Sequence, residues 1–226
     1  MAYEDSIEIW IIGQKNWPRG KVNKHEIRVD KRIDHPYFAG IHTLYPSKKN
    51  ENFAIVSASA PDSVLVVDLE NSVVSKVLRL PAELYGRNYT LTSNMNLKSH
   101  YINNDFQTTH INSAYPVDDN KIVVTTLIQG ALGQFDLSND SFNEICSGFV
   151  GCHGGRVNDC GEIYFADSTM GAIIYIHQDG TILRRFATNS RWLHDVQHIT
   201  ESVYACAVAD LNELQLLDID KNEIVF

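Results

Sequence analysis

Four histidines head segments of similar design along the chain: His42, His110, His153 and His194. A neutral imidazole is a good ligand for zinc, copper, iron or nickel, and several imidazoles around one ion give the nitrogen environment that these metals prefer. If the fold brings the four segments together, the sequence predicts a site for one divalent transition metal ion. The identity of the metal is left open by the residue types.

Further residues close to these histidines are candidates for a substrate site. Arg156 could orient an anion or a carbonyl group, and Tyr115 and Trp192 could line the same cavity, so we predict these three residues as substrate-binding. Arg156 and His198 are only weak candidates for catalysis, and packing between blades is the favoured role for His198. The sequence assigns no other catalytic residue.

The elements that must position these side chains are short β-strands. After each histidine the chain alternates turns of Asn, Asp, Gly, Lys or Ser with β-branched and aromatic segments, which is typical of an all-β protein. The predicted strands are 53–59 and 64–69, 121–126 and 132–137, 162–168 and 172–177, and 203–210 and 214–219.

The spacing of the histidines indicates a β-propeller. The second, third and fourth histidines follow one another at intervals of 43 and 41 residues, which is close to the length of a propeller blade of about 40 to 50 residues. The first interval is 68 residues, and we assign the excess to an insertion loop at 81–105. Segments 7–12 and 25–29 resemble outer strands of one more blade. We therefore predict a single domain over 1–226 with five blades, or alternatively four blades and an extra hairpin.

Segment 154–186 carries a family resemblance. It reads GGRVNDCGEIYFADSTMGAIIYIHQDGTILRRF and resembles blades of NHL-type repeats and of the gluconolactonase and senescence-marker-protein family. This resemblance implies a propeller in which the innermost strand of each blade starts at the face that usually carries the active site, so the four histidines would meet near the axis. Gluconolactonase-type enzymes bind their divalent ion through Glu, Asn and Asp, and the histidines here argue against calcium and lactonase chemistry.

Two functions of different classes fit these features. The first is a metal-dependent enzyme, a lyase, hydrolase or oxygenase, whose histidine-bound ion keeps an open position for a small organic substrate. The second is a noncatalytic propeller that binds a small molecule or a protein. In that case the repeated histidines are packing residues that bond to the backbone of a neighbouring blade.

Composition excludes some partners. The chain has 19 Lys and Arg against 28 Asp and Glu, with a formal net charge of −9, and no run of Lys and Arg exceeds two residues. Binding to nucleic acid or to an anionic membrane surface is not expected, because both require concentrated positive charge. The four cysteines lack CxxC spacing and are expected to be reduced, and no apolar stretch approaches the ~20 residues of a spanning helix. The sequence therefore predicts a cytoplasmic protein, and it does not define an oligomeric state.

Overall fold

The chain forms four antiparallel sheets of four strands each, as seen in a computed structural model that describes residues 6–14, 25–48, 50–86, 95–97 and 108–225. Within each sheet the strands follow one another in chain order. Blade 1 comprises β3 (Ile41–Pro46), β4 (Phe53–Ala58), β5 (Ser63–Asp68) and β6 (Val73–Arg79), and blade 2 comprises β7 (Ile111–Pro116), β8 (Lys121–Thr126), β9 (Ala131–Asp136) and β10 (Ser141–Cys146). Blade 3 comprises β11 (Cys152–Val157), β12 (Ile163–Asp167), β13 (Ala172–Ile176) and β14 (Ile182–Ala187), and blade 4 comprises β15 (Leu193–Thr200), β16 (Val203–Val208), β17 (Glu213–Asp218) and β18 (Glu223–Ile224).

The prediction of five blades is wrong, and the alternative of four blades with an extra hairpin is confirmed. Among the described residues, strands β1 (Ser6–Gln14) and β2 (His25–Asp34) pair only with each other, from Gln14 opposite His25 to Ser6 opposite Asp34. Because they make a two-stranded sheet of their own, they do not count as a blade. The segments that suggested a fifth unit are this hairpin.

The two middle strands of each blade supply most of the core. In blades 1 to 3 they are mostly buried on both faces, because the blades pack face to face, and this explains their continuous apolar sequence. In blade 4 the residues of β16 alternate between buried and half-buried, and β17 begins with exposed residues. The side chains of β12 and β13 are buried throughout. One interblade cluster joins Ile55 and Val64 of blade 1 to Ile122 and Val124 of blade 2. Propeller packing therefore follows directly from these apolar strands.

The predicted insertion at 81–105 lies partly outside the described residues. Its first part forms a short helix, α1 (Ala82–Tyr85), which ends at Gly86 in the left-handed conformation. The Tyr85 hydroxyl donates a hydrogen bond to the Glu144 carboxylate at 2.7 Å, and Leu97 is fully buried against Ala39 and Ala60. The described parts of this segment thus pack on the blades.

The innermost strands touch one another in sequence order, β3 with β7, β7 with β11 and β11 with β15. Each has a β-bulge close to its first residue, at which its pairing with the second strand shifts by one residue. Bulges turn side chains away from the regular alternation of a strand and are common beside functional sites. Among the described residues, no helix has the length and apolar character needed to cross a bilayer.

Candidate functional site

Three of the four histidines are the second residue of the innermost strand of their blade, although His42 and His194 lie at the bulge itself and His153 pairs with Ala166 just before its bulge. His42, His153 and His194 each directly follow the residue that opens the innermost strand of their blade. In blade 2 that position belongs to Asn112, because Ile111 pairs with Thr126 as Ile41 pairs with Ala58. The predicted alignment of all four histidines is therefore wrong for blade 2.

His110 lies two residues before the equivalent position. Its φ is +51°, and the corresponding residues of blades 1 and 3 are Gly40 and Gly151, with φ of +64° and +81°. A left-handed backbone is uncommon for a residue other than glycine. The Asp62 carboxylate stabilises it here, because it accepts hydrogen bonds from the backbone N–H groups of Thr108, Thr109 and His110 at 2.9, 3.0 and 2.6 Å.

All four imidazoles nevertheless lie at the same end of the innermost strands. The ring centroids of His42 and His110 are 4.8 Å apart, and those of His153 and His194 are 4.9 Å apart. His110 and His153 are only 5% exposed, whereas His42 and His194 are exposed. The fold thus places two pairs of rings together, each with one buried and one exposed member. We call these four residues the histidine cluster.

Burial and neighbouring histidines keep the two buried rings uncharged. Burial lowers the pKa of His110 and His153 to about 4, and nearby histidines contribute to each shift: His153 for His110, and His194 and His42 for His153. These couplings join the two pairs into one electrostatic unit. At neutral pH the two buried imidazoles carry lone pairs, and a neutral imidazole is the form that binds a metal ion.

His153 is also fixed in orientation. Its Nδ1 atom lies 3.0 Å from the carbonyl oxygen of Gly151 and 2.7 Å from the hydroxyl of Ser168. Since a carbonyl oxygen only accepts hydrogen bonds, we assign the proton to Nδ1, which leaves the lone pair on Nε2. Metal-binding histidines typically have this arrangement, in which a second group holds the other ring nitrogen.

The histidine cluster is not assembled as a chelate. Within the described part of the chain, no group of three or more His, Cys, Asp or Glu side chains is arranged to hold a metal ion. Contact between rings at their faces and edges does not by itself point their nitrogen atoms at a common centre. Binding one ion through all four would require side-chain rotation.

Arg156 is engaged by another blade. Its guanidinium group makes a bidentate salt bridge to Asp195, with Nη1–Oδ1 at 2.7 Å and Nη2–Oδ2 at 3.0 Å, and it also donates to the carbonyl oxygens of Gly154 and Val196. Burial alone would lower the pKa of Arg156, but the hydrogen bonds and charge of Asp195 raise it above its ordinary value. The side chain joins blade 3 to blade 4, and its ring contact is with Tyr45, at 5.6 Å.

The other predicted site residues divide between two regions. Trp192 lies at the histidine cluster, with its ring 5.8 Å from that of His153. Tyr115 lies near the far end of β7, where its hydroxyl accepts a hydrogen bond from Lys48 at 2.9 Å and its ring packs on Tyr45. His198 also lies away from the cluster, packed on Tyr204. The structure therefore brings Trp192 to the histidines and leaves Tyr115 and His198 elsewhere.

Sequence reasoning missed four residues that shape this site: Asp62, Asn112, Ser168 and Asp195. Asn112 is buried, donates to the carbonyl oxygen of Cys152 and accepts from the hydroxyl of Thr125, each at 2.6 Å. One signal for it was available, because Tyr45-Pro46 and Tyr115-Pro116 occupy equivalent positions. Alignment on those pairs places Asn112, and not His110, opposite His42.

Solved structures of similar fold are β-propellers of several kinds. The WD40 propeller domain of Doa1 matches with a TM-score of 0.60 and 11% identity, over 85% of this chain and 56% of that one. Virginiamycin B lyase from Staphylococcus aureus matches with a TM-score of 0.61 and 14% identity, over 88% and 58%. A protein of unknown function from Bacteroides caccae matches with a TM-score of 0.61 and 12% identity, over 97% and 72%.

The protein is thus a β-propeller, and the resemblance drawn from segment 154–186 is confirmed for the fold. Its structural neighbours include a virginiamycin B lyase and a streptogramin B lyase. The sequence matches no protein-family model and no curated protein. The chain spans little more than half the length of the first neighbours, and at these identities the likeness shows the fold alone.

Proposed function

We propose that the protein is a metal-dependent propeller enzyme that acts on a small organic substrate at the histidine cluster. The observation that carries this proposal is that His42 with His110, and His153 with His194, form two ring pairs at one end of the innermost strands, and that the two pairs are electrostatically coupled. The ion would be a divalent transition metal, iron, zinc, copper or nickel, because the donors are imidazole nitrogens.

In this proposal the metal site has one side that is buried in the protein and one side that is exposed to solvent. His110 and His153 form the buried side. Because Nδ1 of His153 carries the proton, Nε2 of His153 is the nitrogen that can bind the ion. His42 and His194 are exposed and can rotate toward the buried pair. A bound ion would act as a Lewis acid or would activate water. The exposed side would admit the substrate, and Trp192 would form one wall beside His153.

Arg156 has a different role in this proposal. Its hydrogen bonds to Asp195, Gly154 and Val196 occupy both terminal nitrogens, so we assign it to holding blades 3 and 4 in register rather than to binding substrate. Since β11 carries both His153 and Arg156, this contact also sets the position of the buried histidine relative to His194.

Cobalt titration tests the proposal. Tag-free protein is stripped with a chelator, and its visible absorption is followed as Co²⁺ is added. We expect one Co²⁺ ion to bind and to give the absorption bands of nitrogen ligands. His153→Ala should weaken this binding at least about 10-fold, because loss of a ligand weakens metal binding more than loss of a group that only orients a ligand. The matched control is His177→Ala, because His177 is exposed and outside the cluster. Equal effects of the two substitutions would refute the proposal.

A noncatalytic propeller is the second candidate, and one observation favours it. The described side chains are not arranged as a chelate, and ring packing together with the hydrogen bonds of His153 accounts for the buried pair as a structural element. Under this alternative, Co²⁺ leaves no absorption bands. His153→Ala would then lower the melting temperature as much with chelator as with added metal.

A further inference from the structure

His110 occupies a position that is glycine in blades 1 and 3. The equivalent residues are Gly40 and Gly151, each of which directly precedes the innermost strand of its blade. The carbonyl oxygens of Gly40, His110 and Gly151 accept a hydrogen bond from the residue that follows the second strand of the same blade, at 2.9, 3.1 and 3.2 Å. All three residues have a left-handed backbone. Glycine adopts this conformation freely, whereas it is unfavourable for a histidine.

Asp62 is a second residue that stands where other blades have glycine. It directly precedes β5, and the equivalent residues of blades 2 and 3 are Gly130 and Gly171, all with a positive φ between +48° and +55°. A Cβ atom added to Gly130 would lie 1.7 Å from the carbonyl oxygen of Phe149. One added to Gly171 would lie 1.9 Å from that of Ser190. Glycine therefore lets the segment that enters the next blade approach closely at these two junctions.

At the junction between blades 1 and 2, a side chain replaces this close approach. Thr108 precedes β7 by three residues, as Phe149 precedes β11. From Thr108 onward, three successive backbone N–H groups donate to the Asp62 carboxylate, and the shortest of these bonds, at 2.6 Å, is that of His110. Asp62 is 2% exposed, and hydrogen bonds to a carboxylate are stronger than those between neutral groups. A carboxylate of blade 1 thus fixes the backbone of the histidine in blade 2.

This contact also determines how the rings of His42 and His110 meet. His42 belongs to the same blade as Asp62, and its ring centroid lies 4.8 Å from that of His110. At the position of His42, blade 2 has Asn112, whose amide is bonded to Cys152 and to Thr125. Blade 2 therefore reaches the cluster through His110. Strained residues that their surroundings hold in place are concentrated at functional sites.

We propose that Asp62 is a positioning residue of the histidine cluster, because it holds His110 beside His42. Its three hydrogen bonds offset the unfavourable left-handed conformation, so that a histidine can stand where blades 1 and 3 have glycine. The consequence for a metal ion rests on the proposed function. Without the Asp62 carboxylate, His110 can move away from His42, and the ion is bound more weakly because groups that orient a ligand affect metal affinity.

Replacement of Asp62 by glycine tests this inference. Asp62→Gly removes the carboxylate and keeps the backbone conformation that blades 2 and 3 adopt with glycine at this position. Ring contacts are measured in metal-free protein as nuclear Overhauser effects between histidine ring protons. We expect the contact between His42 and His110 to be lost and the contact within the other ring pair to remain. Co²⁺ should bind about 10-fold more weakly, and Asp62→Asn, which keeps one acceptor oxygen, should bind it with intermediate affinity.

The matched control is Asn212→Gly, because Asn212 has the same position in blade 4, a φ of +55° and an exposed side chain. This variant should keep both ring contacts and the Co²⁺ affinity of the wild type. Melting curves establish which variants are folded. If Asp62→Gly does not fold, Asp62→Asn is measured in its place and should weaken both the ring contact and Co²⁺ binding.

The role of Asp62 is overturned if the wild type lacks the contact between His42 and His110, or if the folded Asp62 variant retains it in full. A lower melting temperature with an unchanged ring contact would show that Asp62 only stabilises its loop. Loss of the contact with unchanged Co²⁺ affinity would overturn the consequence for the metal. A wild type that binds no Co²⁺ would refute the proposed function, and the ring contact would still decide the role of Asp62.

Discussion

His110 and His153 are buried imidazoles that the fold keeps neutral, and this has a consequence for stability. Burial and neighbouring histidines lower the pKa of each to about 4 from 6.5. Above pH 6.5 both the folded and the unfolded chain hold these rings neutral. Between pH 6.5 and 4 only the unfolded chain takes up the protons, so stability falls as pH falls, by about 1.4 kcal/mol per pH unit for each ring.

Chemical denaturation across this range measures the effect. With metal removed by a chelator, we expect the free energy of unfolding to decrease steadily from pH 6.5 to 4. His153→Gln, which cannot titrate, should flatten the slope, whereas the exposed His177→Gln should leave it unchanged. A slope that is the same in His153→Gln as in the wild type would show that the buried ring is not held neutral.

Asp195 neutralises the charge of Arg156, which is buried. The Arg156 side chain is 7% exposed and that of Asp195 is 42% exposed. Asp195→Ala leaves the guanidinium without its counterion, and we expect a loss of about 2 to 3 kcal/mol, below the cost for a fully buried pair because water reaches Asp195. Urea denaturation measures this loss. Arg156→Met with Asp195→Ala should recover part of it, and no recovery would contradict the interpretation.

Gly154 explains how this salt bridge fits into the sheet. Its φ is +62°, and a Cβ atom added there would lie 2.1 Å from Oδ1 of Asp195. The bulge at the start of β11 therefore needs a glycine at this position so that the carboxylate can reach Arg156. The Gly-Gly pair after His153 is too weak a motif to indicate a ligand site. The structure explains its first glycine by the space that the Asp195 carboxylate needs.

At the scale of elements, sequence patterns predicted the middle strands of each blade well. Residues 121–126 were predicted and form β8, and residues 172–177 were predicted where β13 covers Ala172–Ile176. These strands are buried on both faces and so read as continuous apolar segments. The outermost strands were not assigned, because a strand such as β14 is mostly exposed and its sequence has little alternation.

The innermost strands could be located only approximately. Their bulges break the period of two that a strand pattern relies on, and the histidines that seemed to fix their alignment are not equivalent in blade 2. His110 reaches the histidine cluster from a left-handed position held by Asp62, which lies 48 residues away in the chain. Such long-range contacts leave no local signal, and the same holds for the pairing of Arg156 with Asp195.

Phe38 joins the N-terminal hairpin to blade 1. It is fully buried and packs in one cluster with Ile33 of β2 and with Val56, Leu65 and Val67 of the blade. Phe38→Ala would open a large cavity there, and we expect a loss of about 3 to 5 kcal/mol in the free energy of unfolding. Tyr37→Ala is the control, because Tyr37 is only half-buried, and it should cost clearly less. Equal costs would show that the hairpin is not anchored through Phe38.

At the scale of the molecule, the repeat length was the informative quantity. Intervals of 43 and 41 residues predicted propeller blades, and the four sheets confirm them. The blade count was overestimated because the hairpin of β1 and β2 has the composition of outer strands. The two histidine pairs follow from the propeller architecture, since side chains far apart in sequence meet where neighbouring blades start together. Whether they hold a metal ion depends on nitrogen positions that no sequence pattern specifies.

Metal content of the purified protein is the most direct test of the histidine cluster. The tag-free chain is loaded with zinc and passed through a desalting column, and the zinc bound for each chain is measured by inductively coupled plasma mass spectrometry. We predict about one ion for each chain, from one histidine cluster, and a large loss in His110→Ala and in His153→Ala with full retention in His177→Ala. Zinc well below one ion for each chain in the folded wild type, or equal content in all four proteins, would contradict metal binding by the cluster.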